Sequence, residues 1–163
     1  MSSQSLPCDD FLQSTKLLNL WRRSDDRVRH ELNTELPTVS FQNKVDYSGK
    51  CSAFIDKMLR DHEKRTKEIT DCIKSTAVKL NALKSSSETS SNVDNKEIAR
   101  EIRNKQLLVF GCVIYVLYFQ LRQFQTELLE EKVIQTSAMK VIYERCREHF
   151  RHPIFDKFKQ YDL

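Results

Sequence analysis

The sequence predicts an all-α fold of three long antiparallel helices, arranged as a helical hairpin or bundle with coiled-coil character. Only two glycines and three prolines occur in 163 residues, so the turns that a sheet requires are scarce. Charged residues make up 31% of the chain, and apolar residues recur at helical rather than alternating spacing. This length provides one domain with a modest core.

The first helix is predicted over residues 8–35, after a disordered N-terminus at residues 1–7. Pro37 ends this helix, because the residue before a proline is disfavoured in helical conformation. An aspartate is rarely buried, so we expect Asp25 at the solvent-exposed edge of the core-facing stripe rather than as a register-setting contact. That stripe comprises Phe11, Ser14, Leu18, Trp21, Asp25, Val28 and Leu32.

The second helix is predicted over residues 49–84, with Ser48 as its N-cap. The connector 37–48 is too apolar for a free linker, so we expect it to pack back over the bundle through Val39, Phe41, Val45 and Tyr47. The core-facing stripe of this helix comprises Cys51, Ile55, Met58, His62, Arg65, Ile69, Cys72, Thr76, Lys79 and Leu83.

The third helix is predicted over residues 95–150, after a mobile serine-rich loop at 85–94. Asp94 and Glu97 form a capping-box-like start, and Pro153 marks the end of helical structure. Residues 8–150 are thus predicted to form a single helical domain. The C-terminal tail, 151–163, carries apolar residues available for docking, namely Ile154, Phe155 and Phe158.

Charge and the N-terminal residues bear on partners and compartment. The net charge is +4, and the 27 basic and 23 acidic residues are mixed along every segment, whereas nucleic-acid binders gather basic residues on one face. We therefore expect no nucleic-acid partner.

Residues 1–10 have neither a secretory signal nor the arginines of an ordinary mitochondrial presequence. Composition alone suggests the cytosol, but the five cysteines argue against that conclusion.

Cysteine spacing restricts the possible disulfides. Cys51 and Cys72 are 21 residues apart on one predicted helix, which separates them by about 31 Å, whereas bonded cysteines need Cα atoms within about 7 Å. Each must find a partner on a neighbouring helix. Counted outward from the first connector, Cys8 and Cys72 lie near the same level. Counted from the serine-rich loop, Cys146 lies about 17 residues, or roughly 25 Å of helix, beyond the level of Cys51, so spacing alone leaves this second pair in question.

The apolar segment 107–120 explains that difference in level. Removing its 14 residues, two heptads, brings Cys146 within about three residues of the level of Cys51. Thirteen uninterrupted apolar or small residues give about 20 Å of helix against a hydrocarbon core of about 30 Å, so no transmembrane span is predicted. An apolar patch of this size is expected to find a partner or cause aggregation.

Two segments resemble the signatures of the coiled-coil-domain-containing protein 58 family. Residues 25–34 (Asp-Asp-Arg-Val-Arg-His-Glu-Leu-Asn-Thr) and 37–41 (Pro-Thr-Val-Ser-Phe) resemble its signature segment, and residues 144–150 resemble its C-terminal motif. The likeness covers roughly residues 8–106 and 121–152. By this resemblance the interaction surface comprises Asp25, Asp26, Arg27, His30, Glu31, Leu32, Asn33, Thr34, Pro37, Thr38, Phe41, Arg145, His149 and Phe150.

The resemblance implies a protein of the mitochondrial intermembrane space, imported without a cleaved presequence and trapped by oxidative folding. Its implied function is to regulate or support mitochondrial protein import, with the import machinery and the oxidative-folding relay as partners. The oligomeric state stays open.

The resemblance also assigns family-type cysteines at Cys8, Cys51, Cys72 and Cys146, but not at Cys112. We predict a disulfide-stabilised bundle with Cys8–Cys72 and Cys51–Cys146 bridges, the second only if segment 107–120 is absent or bulges out. This segment departs from the family pattern, and we hypothesise that it is a retained intron. Sequencing the transcript tests this hypothesis, and spliced messages that encode the segment would refute it.

Other chemistry has weaker support in the sequence. Cys146, His149 and His152 have a spacing compatible with metal ligands, but a structural zinc site needs four ligands and no second pair accompanies them. We expect no metal and no cofactor. No phosphate-binding loop or nucleophile motif is present, so an enzyme is not expected. The alternative functions are a cytosolic coiled-coil scaffold or tether with reduced cysteines, and a redox-active or metal-handling factor.

Overall fold

The computed structural model describes residues 5–36, 46–88 and 98–159, and in these ranges the protein is all-α. Three helical segments pack against one another and two disulfides link them, so the predicted fold class is confirmed. The elements are α1 (Phe11–Asp26), α2 (Val28–Glu35), α3 (Tyr47–Glu88), α4 (Ile98–Cys146) and a C-terminal 3₁₀ helix (Pro153–Lys157).

The predicted first helix is two helices, α1 and α2, separated at Arg27. The Arg27 N–H still donates to the Arg23 carbonyl at 3.3 Å, a long helical hydrogen bond. Helix α1 begins at Phe11 rather than at residue 8, because the Asp10 carboxylate caps it by accepting the Gln13 N–H at 3.0 Å. The prediction of a disordered N-terminus is wrong for residues 5–7, because Leu6 is buried and its N–H donates to the Glu68 carboxylate at 2.9 Å. Residues 1–4 lie outside the described residues.

Helix α3 is longer at both ends than predicted. Asp46, not Ser48, caps it, because the Asp46 carboxylate accepts the Gly49 N–H at 2.9 Å. The helix continues to Glu88, so residues 85–88 of the predicted serine-rich loop are helical, and the Ser85 hydroxyl donates back to the Ala82 carbonyl at 3.0 Å. The rest of that loop, the capping box at Asp94 and the connector residues Val39, Phe41 and Val45 lie outside the described residues.

Helix α4 ends at Cys146 rather than near residue 150. The Cys146 carbonyl accepts the N–H groups of His149 and Phe150, at 3.0 and 2.9 Å, which closes the final turn. The chain then reverses into the 3₁₀ helix. Phe155 and Phe158 of the tail are buried and belong to the hydrophobic core, so the tail docks onto the core of unit 2.

The described residues form two compact units. Unit 1 comprises the described parts of Met1–Ser14 and Glu68–Leu128. It contains the Cys8–Cys72 bridge, and the Phe11 ring packs edge-on against Phe124 at 5.2 Å.

Unit 2 comprises the described parts of Thr15–Lys67 and Leu129–Leu163. Its hydrophobic core includes the Cys51–Cys146 bridge. The buried members of this core are Val28, Leu32, Leu36, Cys51, Phe54, Ile55, Met58, Ala138, Met139, Ile142, Tyr143, Cys146, Phe155 and Phe158.

Both predicted disulfides are present, with Cα–Cα distances of 5.0 Å for Cys8–Cys72 and 5.9 Å for Cys51–Cys146. We predicted that Cys51–Cys146 forms only if segment 107–120 is absent or bulges out. That condition was wrong, because the segment lies in uninterrupted helix and does not bulge. The sequence-based comparison counted residues from the serine-rich loop, which assumes that the C-terminal end of α3 and the N-terminal end of α4 lie side by side. In unit 1, however, α4 extends further before Phe124 than α3 extends beyond Cys72. The surplus residues therefore lengthen the N-terminal part of α4.

Helix α4 also contains the apolar segment. The region Leu107–Cys146 is long and apolar enough to cross a membrane by the criteria of length and composition alone. Its most apolar 18-residue window has a mean hydropathy of 1.6, and only 6% of that window is buried. Most of this apolar surface is therefore exposed in the protein.

Removal of one bridge tests how much the disulfides stabilise the fold. We expect the double substitution Cys8→Ser/Cys72→Ser to lower the free energy of unfolding by about 4 kcal/mol, because the bridge closes a loop with a sequence separation of 64. Urea denaturation under non-reducing conditions measures this change. The exposed free thiol provides the control, since Cys112→Ser is expected to stay within about 0.5 kcal/mol of the unmodified chain. Equal effects of the two variants would contradict the prediction.

Candidate protein-binding groove

A groove of about 580 Å³ lies between α2 and the first turns of α3, in unit 2. Its apolar floor is formed by Leu32, Leu36 and Phe54, all of which are buried. The residues lining this groove, termed here the α2–α3 groove, are His30, Glu31, Leu32, Thr34, Glu35, Leu36, Lys50, Ala53, Phe54 and Lys57.

The floor of the α2–α3 groove is fixed by the core beneath it. Cys51 precedes Phe54 by three residues on α3, so both lie on the same helix face. The bridge from Cys51 to Cys146 holds this part of α3 against α4, and Leu32 and Leu36 belong to the same hydrophobic core. The shape of the groove therefore depends on the Cys51–Cys146 disulfide.

Two ion pairs cross the rim of the α2–α3 groove. The Lys57 ammonium lies 3.1 Å from the Glu31 carboxylate, and the Lys50 ammonium lies 3.4 Å from that of Glu35. Lys50 also donates to the Glu35 carbonyl at 3.0 Å. Solvent-exposed pairs of this kind contribute only about 0–1 kcal/mol to stability. Their main consequence is a rim with charges of both signs beside an apolar floor.

The structure divides the first signature segment into buried and exposed residues. Leu32 is in the core and Asp25 is buried, while the half-buried Glu31 pairs with Lys57 across the rim. Pro37, Thr38 and Phe41 lie outside the described residues. The exposed members are Asp26, Arg27, His30, Asn33 and Thr34, of which His30 and Thr34 line the α2–α3 groove.

The C-terminal signature residues do not join this groove. Arg145 and His149 are exposed, and the His149 ring packs against the Tyr47 ring with centroids 4.7 Å apart. Phe150 is half-buried against the hydrophobic core and borders a separate groove of about 860 Å³. The structure thus distributes the predicted interaction surface over more than one site.

Asp25 belongs to a buried ionic network that the sequence did not predict. The Arg65 guanidinium is fully buried and lies 2.7 Å from the Asp25 carboxylate and 2.6 Å from that of Glu131. His62 Nε2 lies 2.6 Å from the other Asp25 oxygen, and Arg22 Nε donates to Glu131 at 2.9 Å. These five residues, termed here the Arg65 network, connect α1, α3 and α4 within unit 2.

The charges of the Arg65 network balance. Two guanidinium groups face two carboxylates, and Gln135 and the Trp21 carbonyl provide further polar contacts to Glu131 and Arg65. The Arg65 Nη2 atom has no well-oriented hydrogen bond, although it lies 2.7 Å from an Asp25 oxygen, so that contact is ionic rather than directional. A buried ion pair needs such compensation, because desolvation of each charge costs several kcal/mol.

Both carboxylates are held in their charged forms. Burial opposes the ionisation of Asp25, but the hydrogen bond from His62 and the charge of Arg65 outweigh it and lower the pKa below its ordinary value of 3.8. Burial likewise opposes ionisation of Glu131, and hydrogen bonds from Arg65 and Gln135 lower its pKa below 4.5. The network therefore stabilises the fold only while both groups are ionised.

The expectation that Asp25 lies at the solvent-exposed edge of its stripe was wrong. The signal for its burial was the presence of His62 and Arg65 on the predicted core stripe of the second helix. Charged residues of opposite sign at core positions of two helices indicate a buried pair. Arg22 and Glu131 carry no comparable signal, because each is one charged residue among many along its helix.

The alternative metal site does not form around Cys146. Its sulfur is bonded to Cys51 and is not available as a thiolate ligand. Within the described residues, no cluster of three or more His, Cys, Asp or Glu side chains is placed to hold a metal ion.

No protein-family model matches this chain, and no solved structure matches it. The resemblance to the coiled-coil-domain-containing protein 58 family therefore depends on the residues of the signature segments described above.

Arg65 provides a test of the network. We expect Arg65→Leu to lower the free energy of unfolding by about 3–5 kcal/mol, because it leaves two buried carboxylates without their shared cation. The control is Lys57→Leu, which removes an exposed pair and is expected to cost no more than about 1 kcal/mol. Urea denaturation measures both values, and a small effect of Arg65→Leu would contradict the role assigned to the network.

The pKa shifts predict a dependence of stability on pH. Both folded-state pKa values are lowered, so the stabilisation is complete above the ordinary values of 3.8 and 4.5 and is lost as pH falls through the folded-state values. We expect the free energy of unfolding to decline as pH is lowered below 4.5. Asp25→Asn/Glu131→Gln should flatten this decline, whereas Glu35→Gln at the exposed rim should not. If the double variant shows the same decline as the unmodified chain, the pH dependence does not come from Asp25 and Glu131.

Proposed function

We propose that this chain is a non-enzymatic regulator or assembly factor of mitochondrial protein import, acting by protein–protein interaction in the intermembrane space. The observation that carries the proposal is the bonding of all four family-type cysteines in two bridges, one between α3 and α4 and one between α3 and the residues before α1. The Cys51–Cys146 bridge also supports the α2–α3 groove, whose border is the first signature segment.

The disulfides support an oxidising compartment. Bridges of this kind persist in oxidising environments and are rare in the cytosol, where thiols are kept reduced. Among oxidising compartments, the resemblance to the coiled-coil-domain-containing protein 58 family favours the mitochondrial intermembrane space. Oxidation there both stabilises the fold and retains the folded chain in the compartment.

The α2–α3 groove fits an apolar segment of a protein partner. Its apolar floor and charged rim have the character of a groove that accepts the apolar face of an amphipathic helix. The rim charges of Glu31, Glu35, Lys50 and Lys57 are already paired, so they favour particular arrangements of charge on the partner more than they raise affinity. Partner recognition therefore depends on burial of apolar side chains on the groove floor.

The compartment and redox state test the first part of the proposal. In isolated mitochondria we expect the chain to resist added protease until the outer membrane is ruptured. Alkylation without reductant should modify only Cys112, and alkylation after reduction should modify five thiols. A protease-sensitive cytosolic chain with five alkylated thiols would instead favour the alternative of a reduced scaffold or tether.

Site-specific crosslinking tests the groove. A photo-crosslinking amino acid in place of Thr34, on the α2–α3 groove, should crosslink subunits of the import machinery in intact mitochondria. The same probe in place of the exposed Lys132 on α4 serves as the control and should not. The substitution Ala53→Arg, which fills the groove from an exposed position, should abolish the Thr34 crosslinks. Mass spectrometry identifies the products, and equal products from both positions would contradict the proposal.

A further inference from the structure

The segment Leu107–Phe119 of α4 exposes an extensive apolar surface. Eight of its large apolar side chains are between 42% and 71% exposed. Isolated exposed apolar residues are normal, but contiguous patches of this extent mark interaction sites. The eight residues are Leu107, Leu108, Val109, Val113, Tyr115, Val116, Tyr118 and Phe119.

The two sides of this helix segment differ in burial. Phe110, Ile114 and Leu117 are half-buried and follow one stripe that leads to the buried Phe124 of unit 1. At about 100° per residue, the opposite side of the helix carries Leu108, Cys112, Tyr115 and Phe119, all exposed. Successive members of this set are separated by four, three and four residues, which is the spacing of a coiled-coil seam. We call this stripe the outer seam.

We propose that the outer seam binds a second copy of this chain, forming a helix-to-helix dimer. Three of the eight exposed residues are aromatic, but the eight surround most of the helix, so one partner helix can cover only the side that carries the outer seam. On that side Leu108, Tyr115, Val116 and Phe119 expose on the order of 500 Å². A standard stable interface buries about 800 Å² on each partner. Two outer seams together would bury about 1,000 Å², which is at the lower limit for a specific interface and is consistent with a dimer that dissociates on dilution.

The outer seam is complementary to itself. Gly111 lies at the base of a depression of about 380 Å³ lined by Leu107, Leu108, Cys112, Tyr115 and Val116. A Cβ atom added at Gly111 meets no other atom within 4 Å, so the space above this residue is open. Tyr115, 71% exposed, projects one helical turn away. A two-fold axis near residue 113 places each Tyr115 over the partner's Gly111, the reciprocal contact that a symmetric dimer requires.

A lipid bilayer fits this surface less well. Leu107–Cys146 meets the criteria of length and composition for a membrane span, but its uninterrupted apolar run covers only about 20 Å of helix, whereas a bilayer core is about 30 Å thick. At the C-terminal end of the run, the Gln120 amide donates to the Asp9 carbonyl at 2.9 Å, and the Asp9 side chain forms an exposed ion pair with Lys79. Insertion of the whole segment would bring this ion pair towards the hydrocarbon, at a high desolvation cost. A second helix covers the seam without moving it.

Cys112 provides a built-in reporter for the dimer. It is the free, exposed cysteine of the described residues and lies on the outer seam. In an antiparallel pair centred near residue 113, the two Cys112 residues differ in level by only about 3 Å along the helix axes. A short bismaleimide, which adds one thiol to each of its two double bonds and needs no oxidant, should therefore join two chains.

The test uses the full chain with both disulfides intact. Sedimentation equilibrium should give a dimer that dissociates on dilution, and the bismaleimide should give a covalent dimer that Cys112→Ser abolishes. Gly111→Leu fills the depression from a position where an added Cβ meets no atom within 4 Å, and should weaken dimerisation roughly tenfold, while Tyr115→Ala should weaken it roughly 30-fold. The control is Val133→Ala, at a similarly exposed apolar position outside the segment, which should leave dimerisation unchanged.

Several outcomes would overturn the inference. These are a monomer at every concentration, aggregates without a defined mass, or a dimer that Gly111→Leu and Tyr115→Ala do not weaken. A monomer that co-sediments with phosphatidylcholine–cardiolipin vesicles, and loses this binding with Tyr115→Ala, would assign the surface to a bilayer instead. Circular dichroism of each variant establishes that helical content is retained. None of these outcomes depends on the proposed function in import.

Discussion

Arg65 lies where three helices of unit 2 meet, and its guanidinium is shared by two carboxylates. It extends from α3 to Asp25 of α1 and Glu131 of α4, at 2.7 and 2.6 Å, with no exposed surface of its own. Apolar side chains can slide past one another at modest cost, but a buried charge is stable only beside its counter-charges. The Arg65 network therefore fixes which residues of the three helices face each other.

The disulfides constrain the same helices by a different means. Cys51–Cys146 lies in the hydrophobic core of unit 2, and Cys8–Cys72 ties the N-terminal residues to α3 in unit 1. A covalent bridge stabilises mainly by limiting the unfolded chain, whereas the ionic network selects one arrangement of the folded helices. The fold thus depends on an oxidising environment through its sulfurs and on ionised carboxylates through Arg65.

The two proposed surfaces have different origins. The α2–α3 groove is small and rests on the disulfide-linked core, so its shape follows from the packing of α2 on α3. The outer seam lies on the part of α4 that the apolar segment 107–120 lengthens. A rigid groove suits recognition of a short apolar segment, and a long exposed helix face suits pairing with a similar helix.

The sequence by itself determined the helical class and the approximate helix positions, because scarce glycine and proline and three-four periodicity are local properties. It also excluded a bridge between Cys51 and Cys72, since helix rise alone separates them. The core-stripe positions of Asp25, His62 and Arg65 were a sequence signal for a buried pair. Tertiary structure alone decided the participation of Arg22 and Glu131 and the Cys51–Cys146 bridge beside an intact segment 107–120. These features depend on which residues of separate helices lie beside each other. The sequence pattern within one helix does not determine how far a neighbouring helix is shifted along it.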